Sequence, residues 1–351
     1  AIKSVEFIGM PAPSSVDEKT DIYTKAKMKV TYQLDHRKHG HHKHGKALTY
    51  TKIYDLKYHQ LMATTDVING SVVGGLHDVN DAPLTDLDGQ MASDAPDGTS
   101  LMHIPGMRAV NPWKNRALAM VTQFEYKELP PNDGGSAGSF WSKLPATMSL
   151  AKLEQNKRTG ELEVVDYEPI SFSGVNGGWI HCGSTLSDWN THIGSEEYEP
   201  DAKTREGLPK AADSDDTTDI NSFSQYYFGN SATANPYHYG LVPEVKVDRD
   251  GTASVVKHYA TGRFAREMQI FAEDNRTAIG GDDGKFTGLY MFVADRAKDL
   301  SAGTIYAAKV TQTGTAYAGS YDLEWIKLGH ATDDEIKDMV DDGIKFSDKF
   351  D

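Results

Sequence analysis

Short runs of strand length organise most of this chain. Residues 4–8 alternate polar and apolar side chains, and residues 28–34, 47–57, 117–126, 147–155 and 162–167 form further strand-like runs. An apolar period of two marks a strand with one buried face. Lys157-Arg158-Thr159-Gly160 separates the last two of these runs, and Arg249-Asp250-Gly251 separates residues 241–247 from 253–259. Each pair predicts an antiparallel hairpin closed by its turn residues. Residues 64–105 are rich in Asp, Gly, Asn and Pro and read as loop, with turn chemistry at Pro96-Asp97-Gly98. Residues 201–237 are polar, include the acidic run at 213–216, and read as a long surface excursion. One helix is predicted near the C-terminus. Thr332 caps it, Glu335 completes a capping box, Ile336, Met339 and Val340 share a face, and Gly343 ends it.

This pattern predicts an all-β fold with many turns. At 351 residues with 32 glycines, the chain has a length that a β-propeller commonly reaches as a single domain. The hairpins recur without a strict period, which is compatible with propeller blades. The net charge of −15 argues against nucleic acid as the main partner, because phosphate backbones recruit basic surfaces. It leaves a phosphate-ester substrate open, since bound cations reverse the local sign of a site. No apolar run reaches membrane-spanning length, so no membrane partner is expected. The chain begins at Ala1 rather than Met, which fits either removal of a leader or trimming.

Candidate chemistry concentrates in residues 172–200, which hold the single cysteine, Cys182, with Trp179, Trp189, Glu196 and Glu197. One cysteine makes no internal disulfide. A thiolate beside carboxylates offers soft and hard metal ligands together, whereas a free cysteine in a Gly-rich loop is equally a small buried hydrophobe. Glu125 ends a strand and reads as a ligand or as the outward residue of an alternating pattern. Asp282-Asp283, among Gly280, Gly281 and Gly284, reads as a calcium loop or as a plain turn. The His-rich tract at 35–45 holds five of the 13 histidines and reads as a solvated hairpin tip in preference to a metal-scavenging loop. Cys182, Glu197 and Glu267 lie too far apart for a local zinc motif, so a site made from them must be assembled by the fold. The sequence has no Cys-x5-Arg loop, Walker loop or Rossmann fingerprint.

The run GWIHCGSTLSDWNTHIGSEEYEPD resembles the signature of the PhoX-type alkaline phosphatases, with Trp179, Cys182, Gly183, Trp189, Thr191, Glu196 and Glu197 in place. Asn190 stands where that family usually has glycine, and Asp188 where proline is common. Gly262-Arg263-Phe264-Ala265-Arg266-Glu267 is similar to the family's G-R-F-x-H/R-E element. Glu125-Tyr126 matches the end of its N-H-E-Y element, from which Gln123-Phe124 depart. Segments around 273–275, 280–283, 288–293 and 303–309 are also similar. The resemblance covers residues 110–350 well and the first hundred less specifically.

The resemblance implies a six-bladed β-propeller over residues 1–351, lacking its C-terminal blades because the family's later R-x-E element is absent. A second polypeptide segment would then complete the propeller. It further implies a secreted enzyme, periplasmic or extracellular, that hydrolyses small-molecule phosphate monoesters at a cluster of ferric iron (Fe3+) and calcium (Ca2+). Carried over by position, Cys182, Glu197 and Glu267 are metal ligands central to catalysis. Glu125 and Asp283 are further ligand candidates, and Arg263 and Lys309 are candidates for binding the phosphate. The same scaffold could serve a phosphodiesterase or phosphotriesterase. A non-catalytic, calcium-binding propeller is the reading from another class.

Overall fold

A computed structural model describes residues 1–16, 26–33, 48–127, 131–132, 143–206, 218–284 and 287–349. The His-rich tract at 35–45 and the acidic run at 213–216 lie outside the described residues. Sequence alone reads residues 1–351 as one domain; the contacts of the chain fall into two compact units, Ala1–Leu61 and Met62–Asp351. Strands predominate in both, so the class is all-β.

The first unit is a three-stranded antiparallel sheet of β1 (Ile2–Ile8), β2 (Lys27–Gln33) and β3 (Thr49–Asp55), with β2 in the middle. Register pairs such as Phe7 with Met28 and Met28 with Tyr54 place like residues on one face. Tyr32 stacks on Tyr50 with ring centroids 5.0 Å apart. Lys29–Glu6 and Lys27–Asp55 pair at 3.0 and 2.8 Å. These ion pairs are exposed, and pairs of that kind contribute little.

The second unit opens with two short hairpins, β4 (Val67–Ile68) with β5 (Ser71–Val72) and β6 (Thr85–Asp86) with β7 (Gly89–Gln90). Three larger antiparallel sheets follow in chain order. The first contains β8 (Pro96–Met102), β9 (Asn115–Phe124), β10 (Thr147–Asn156) and β11 (Leu162–Pro169), neighbours in space as in sequence. The second joins β12 (Thr185–Leu186), β13 (His192–Ile193), β14 (Val242–Val247) and β15 (Ala253–His258). The third joins β16 (Arg266–Phe271), β17 (Thr277–Asp282), β18 (Leu289–Arg296), β19 (Asp299–Gly314) and β20 (Ser320–Thr332). Each is a meander, in which consecutive strands pair through short connections or, between β9 and β10 and between β13 and β14, longer excursions.

Consecutive sheets share cores. Ala119, Val121, Met148 and Leu150 of the first sheet pack with Val245 and Val247 of the second. Ile193 and Val242 of the second pack with Ala278, Phe292 and Ala294 of the third. Alternation along each strand sends these residues inward, as the sequence pattern predicts.

Two expectations are corrected. Pro96, Asp97 and Gly98, read as a turn, form the irregular start of edge strand β8, where the register against β9 shifts between Pro96 and Thr99. Proline is tolerated there because an edge strand leaves one side of its ladder unpaired. The excursion between β13 and β14 is not wholly surface: helix Thr218–Phe228 buries Ile220, Phe223 and Tyr227 against Trp179 and Tyr239. Residues three and seven apart fall on one helix face, and aromatic burial there outweighs the polar composition around it. The C-terminal helix, Asp333–Asp341, has the predicted Thr332/Glu335 capping box.

Two buried ionic groups tie these layers together. Lys257 of β15 reaches Glu196 at 2.6 Å, with both side chains excluded from solvent. Glu196 also accepts the main-chain N–H groups of Trp179 and Leu241, and Lys257 donates to the His238 carbonyl. Burial pushes the carboxyl up and the ammonium down, and their contact with one another opposes both shifts. His258 lies between Glu244 at 2.8 Å and Asp333 at 2.7 Å, which joins β14 and β15 to the C-terminal helix. Burial opposes its charge, yet the two carboxylates push its pKa up to about 9.

Lys257→Met strands the Glu196 charge and should cost about 3–5 kcal/mol. Adding Glu196→Gln should recover much of that loss. Chemical unfolding of the two variants checks this; a single variant as stable as the parent would show that the pair does not hold the fold.

Candidate metal centre

Six chemistry-bearing side chains converge from segments far apart in sequence. Their frame is the 180–185 segment, which passes between the edge strands of the first and third sheets. On one side the Gly98 N–H of β8 donates to the Cys182 carbonyl at 3.1 Å. On the other the Thr185 hydroxyl donates to the Gln269 carbonyl of β16. Glycine is required at 98 and makes for a close fit at 183. A Cβ at Gly98 would lie 2.6 Å from the Ser184 nitrogen, and one at Gly183 would lie 3.1 Å from the Glu267 carbonyl oxygen.

Edge-strand irregularity aims two of the acids. Asp97 lies within the register shift of β8, and Glu267 lies within a second shift of β16, between Arg266 and Gln269. Bulges of this kind re-aim a side chain and are over-represented beside active sites. Cys182 Sγ is 3.3 Å from Asp97 Oδ2 and 3.9 Å from Glu267 Oε1. Glu125, which follows β9, joins Asp97 and Cys182 in a group whose ligand atoms all lie within 4.8 Å of one another.

Glu197 enters from the opposite side, its amide donating to the Ile180 carbonyl at 3.0 Å. Its neighbour Glu196 is turned the other way by Lys257, so two adjacent acids have separate roles. Asp283, just after β17, accepts a hydrogen bond from the Tyr198 hydroxyl. Exposure grades across the set: Cys182 and Glu197 are buried, Glu125 is half-buried, and Asp97, Glu267 and Asp283 are exposed. The cluster therefore has a closed floor and an open mouth.

The electrostatics follow from this crowding. Burial, then Asp97 and Glu267, push the Glu125 carboxyl up to about 7. Burial also raises Glu197, to about 8; a hydrogen bond from Cys182 opposes the rise, and Glu125, Glu267 and Asp283 add to it. Burial, with Glu197 and Asp97 beside it, pushes the Cys182 thiol well above its ordinary range. Burial and neighbouring carboxylates disfavour charge on Glu125, Glu197 and Cys182, and none of these three shifts has a cationic side chain among its causes. A bound cation would reverse all of them at once, because it would be the largest local charge.

The structure thus brings together Cys182, Glu197, Glu267, Glu125 and Asp283. Arg263 and Lys309 have other partners. Arg263 donates to the carbonyls of Pro236, Tyr239 and Pro200 and lies over the Tyr237 ring. Its guanidinium fastens the excursion between β13 and β14. Lys309 pairs with Glu324 at 3.2 Å on the exposed β19–β20 ribbon.

Other residues of the 172–200 stretch build the frame. The Trp179 indole donates to the Tyr198 carbonyl at 2.9 Å, and Trp189 and Thr191 both donate to Glu244. Asn190 has φ of 66°, the left-handed region that glycine otherwise fills and that asparagine tolerates. Sequence reasoning missed Asp97. Its one sequence signal is an acid beside the glycine at 98, and that pattern is indistinguishable from an ordinary turn.

Comparison of the chain with protein-family models, with curated proteins and with solved structures finds no match.

Glu197 moves from an ordinary 4.5 up to about 8, so the metal-free folded chain holds more protons than the unfolded chain across that window. Stability of the metal-free protein should therefore fall as pH rises from about 4.5 to 8. Added calcium should restore more stability at pH 8 than at pH 5, because ligand carboxylates must be ionised to bind. Thermal unfolding at both values, with and without calcium, checks this. A metal-free stability flat across the window, or equal calcium effects at both ends, would contradict the site's electrostatics.

Proposed function

We propose that the chain is a metal-dependent phosphoric ester hydrolase acting on phosphate monoesters, as its resemblance to the PhoX-type alkaline phosphatases implies. The observation that carries the reading is the convergence of five candidates named from the sequence, Cys182, Glu197, Glu267, Glu125 and Asp283, on one acidic cluster. Coincidence is a poor account of that convergence, because the five are spread over three sheets and nearly 160 positions of sequence.

The residues fit a cation centre of mixed character. A thiol suits iron, and surrounding carboxylates suit both ferric iron and calcium. Cys182, Glu197 and Glu125 would hold the more buried part of the cluster. Glu267 and Asp283, with Asp97 as an added member, would hold its open side. Bound cations would neutralise the phosphoryl oxygens and assist attack by water. Arg263 and Lys309 are engaged elsewhere, so on this reading the charge that recognises phosphate comes from the cations.

The chain's own residues set the approach. The exposed carboxylates of Asp97, Glu267 and Asp283 line the mouth, so an ester would reach the cluster from that side. The Tyr198 hydroxyl, donating to Asp283, fixes the carboxylate that faces solvent. Three consecutive antiparallel meanders with shared cores support the propeller reading, in which loops from several blades meet at one end. A periplasmic or extracellular location belongs to the same proposal.

Purified protein supplied with iron and calcium should hydrolyse p-nitrophenyl phosphate faster than the corresponding diester. Loss of an outer partner of a metal ligand costs about 10–100-fold, so Glu267→Gln, which removes a direct ligand, should cost about 100-fold or more. Circular dichroism should show its fold intact. Faster diester cleavage would favour the phosphodiesterase alternative. No hydrolysis of either ester by metal-loaded protein would leave a binding module.

A further inference from the structure

Gln123 is fully buried at the end of β9, next to the cluster but without a ligand atom in it. Its Nε2 donates to two main-chain carbonyls, those of Cys182 and Gly183, the latter at 3.0 Å. Its Oε1 lies 3.0 Å from His192 Nε2, and His192 Nδ1 lies 2.8 Å from the Ser100 hydroxyl. Gln123 and His192 are wholly excluded from solvent and Ser100 nearly so.

The direction of this chain follows from donor and acceptor inventory. Carbonyl oxygens only accept, so the amide nitrogen of Gln123 must face Cys182 and Gly183. Its oxygen then accepts from His192 Nε2–H. Burial pushes the His192 imidazole down to about 3, so the ring is neutral and carries a single N–H. Nδ1 is therefore an acceptor, and Ser100 donates to it. The chain of bonds runs one way: Ser100 to His192 to Gln123 to the carbonyls of Cys182 and Gly183.

We infer that Ser100, His192 and Gln123 form a buried positioning relay that fixes the main chain bearing the Cys182 thiol. The functional meaning of this inference rests on the reading of Cys182 as a metal ligand; its geometry does not. The Cys182 carbonyl takes a second donor, the Gly98 N–H, in the segment that aims Asp97 at the thiol. Gln123 thus helps set the spacing of a soft and a hard ligand at once. Packing leaves it little alternative. A Cβ at Gly194 would lie 2.7 Å from Gln123 Oε1 and 2.8 Å from Met148 Cε, so glycine there makes room for the amide. Outer partners that orient ligands are tuned for this purpose in metal sites generally.

The test uses two readouts on the full chain. One is cobalt(II) affinity, followed through the sulfur-to-cobalt charge-transfer band. The other is the rate at which iodoacetamide alkylates Cys182 in metal-free protein. Gln123→Met keeps the volume and removes both donors. It should weaken cobalt binding about 10–100-fold, shift the band, and speed alkylation at least as much. Ser100→Ala, at the far end and easier to accommodate, should move both readouts the same way by a smaller factor. Leu153→Ala, a core truncation in β10 five residues beyond Met148, which is the residue paired with Gln123, should lower the thermal midpoint and leave both readouts unchanged.

If the parent protein binds no cobalt but Gln123→Met still speeds alkylation while Leu153→Ala does not, the relay stands and the metal reading falls. If Gln123→Met and Ser100→Ala leave alkylation at the parent rate, or Leu153→Ala speeds it equally, the relay is overturned.

Discussion

Lys257 and Glu196 form the contact on which the geometry of the site depends. Both are buried, 2.6 Å apart, and each has further hydrogen-bond partners on neighbouring segments. A buried carboxylate with that many donors has one orientation. The next side chain, Glu197, instead meets the Cys182 thiol and the acids of the cluster. The same segment is tied at Ser195, whose carbonyl lies 2.9 Å from His181 Nδ1 and whose hydroxyl donates to the Gly183 carbonyl. The segment that brings Glu197 to the acidic cluster is thus already fixed from behind.

The cluster is in turn a concentration of acidic groups that no cationic side chain among the described residues offsets in the shifts of Cys182 and Glu197. Burial raises the proton affinity of Cys182 and Glu197, and the neighbouring carboxylates add to this. Such an arrangement is costly to a metal-free fold and favourable to one that binds cations. Both edge strands that contribute exposed acids are irregular where they do so, at Asp97 and at Glu267. The ladder gives up regular pairing at these two points, and the side chains gain a direction that a regular strand would deny them.

How far the sequence discloses this depends on the range of the interaction. The hairpin arms of β10–β11 and β14–β15 and the Thr332 cap are local, and turn residues and alternation reveal them. Residue chemistry makes Cys182, Glu197, Glu125 and Asp283 candidates and the resemblance adds Glu267, but no spacing between the five encodes proximity. Asp97 is silent in sequence because its role comes from a bulge formed against β9. Gln123 stood out only as a departure from a pattern, and its function depends on carbonyls nearly sixty residues away. The helix Thr218–Phe228 was hidden by polar neighbours, although Ile220, Phe223 and Tyr227 carry a helical period. Arg263 and Lys309 illustrate the converse: positive charge in a suggestive motif is bound to carbonyls in one case and to Glu324 in the other.

Elemental analysis of the purified protein tests the central claim most directly, that Cys182 and the surrounding carboxylates form a metal centre. Iron and calcium should be present in fixed ratio to protein, and a Cys182→Ser variant should lose the iron while keeping its fold. Protein that holds neither metal after exposure to both, or whose iron content is indifferent to Cys182, would contradict the account.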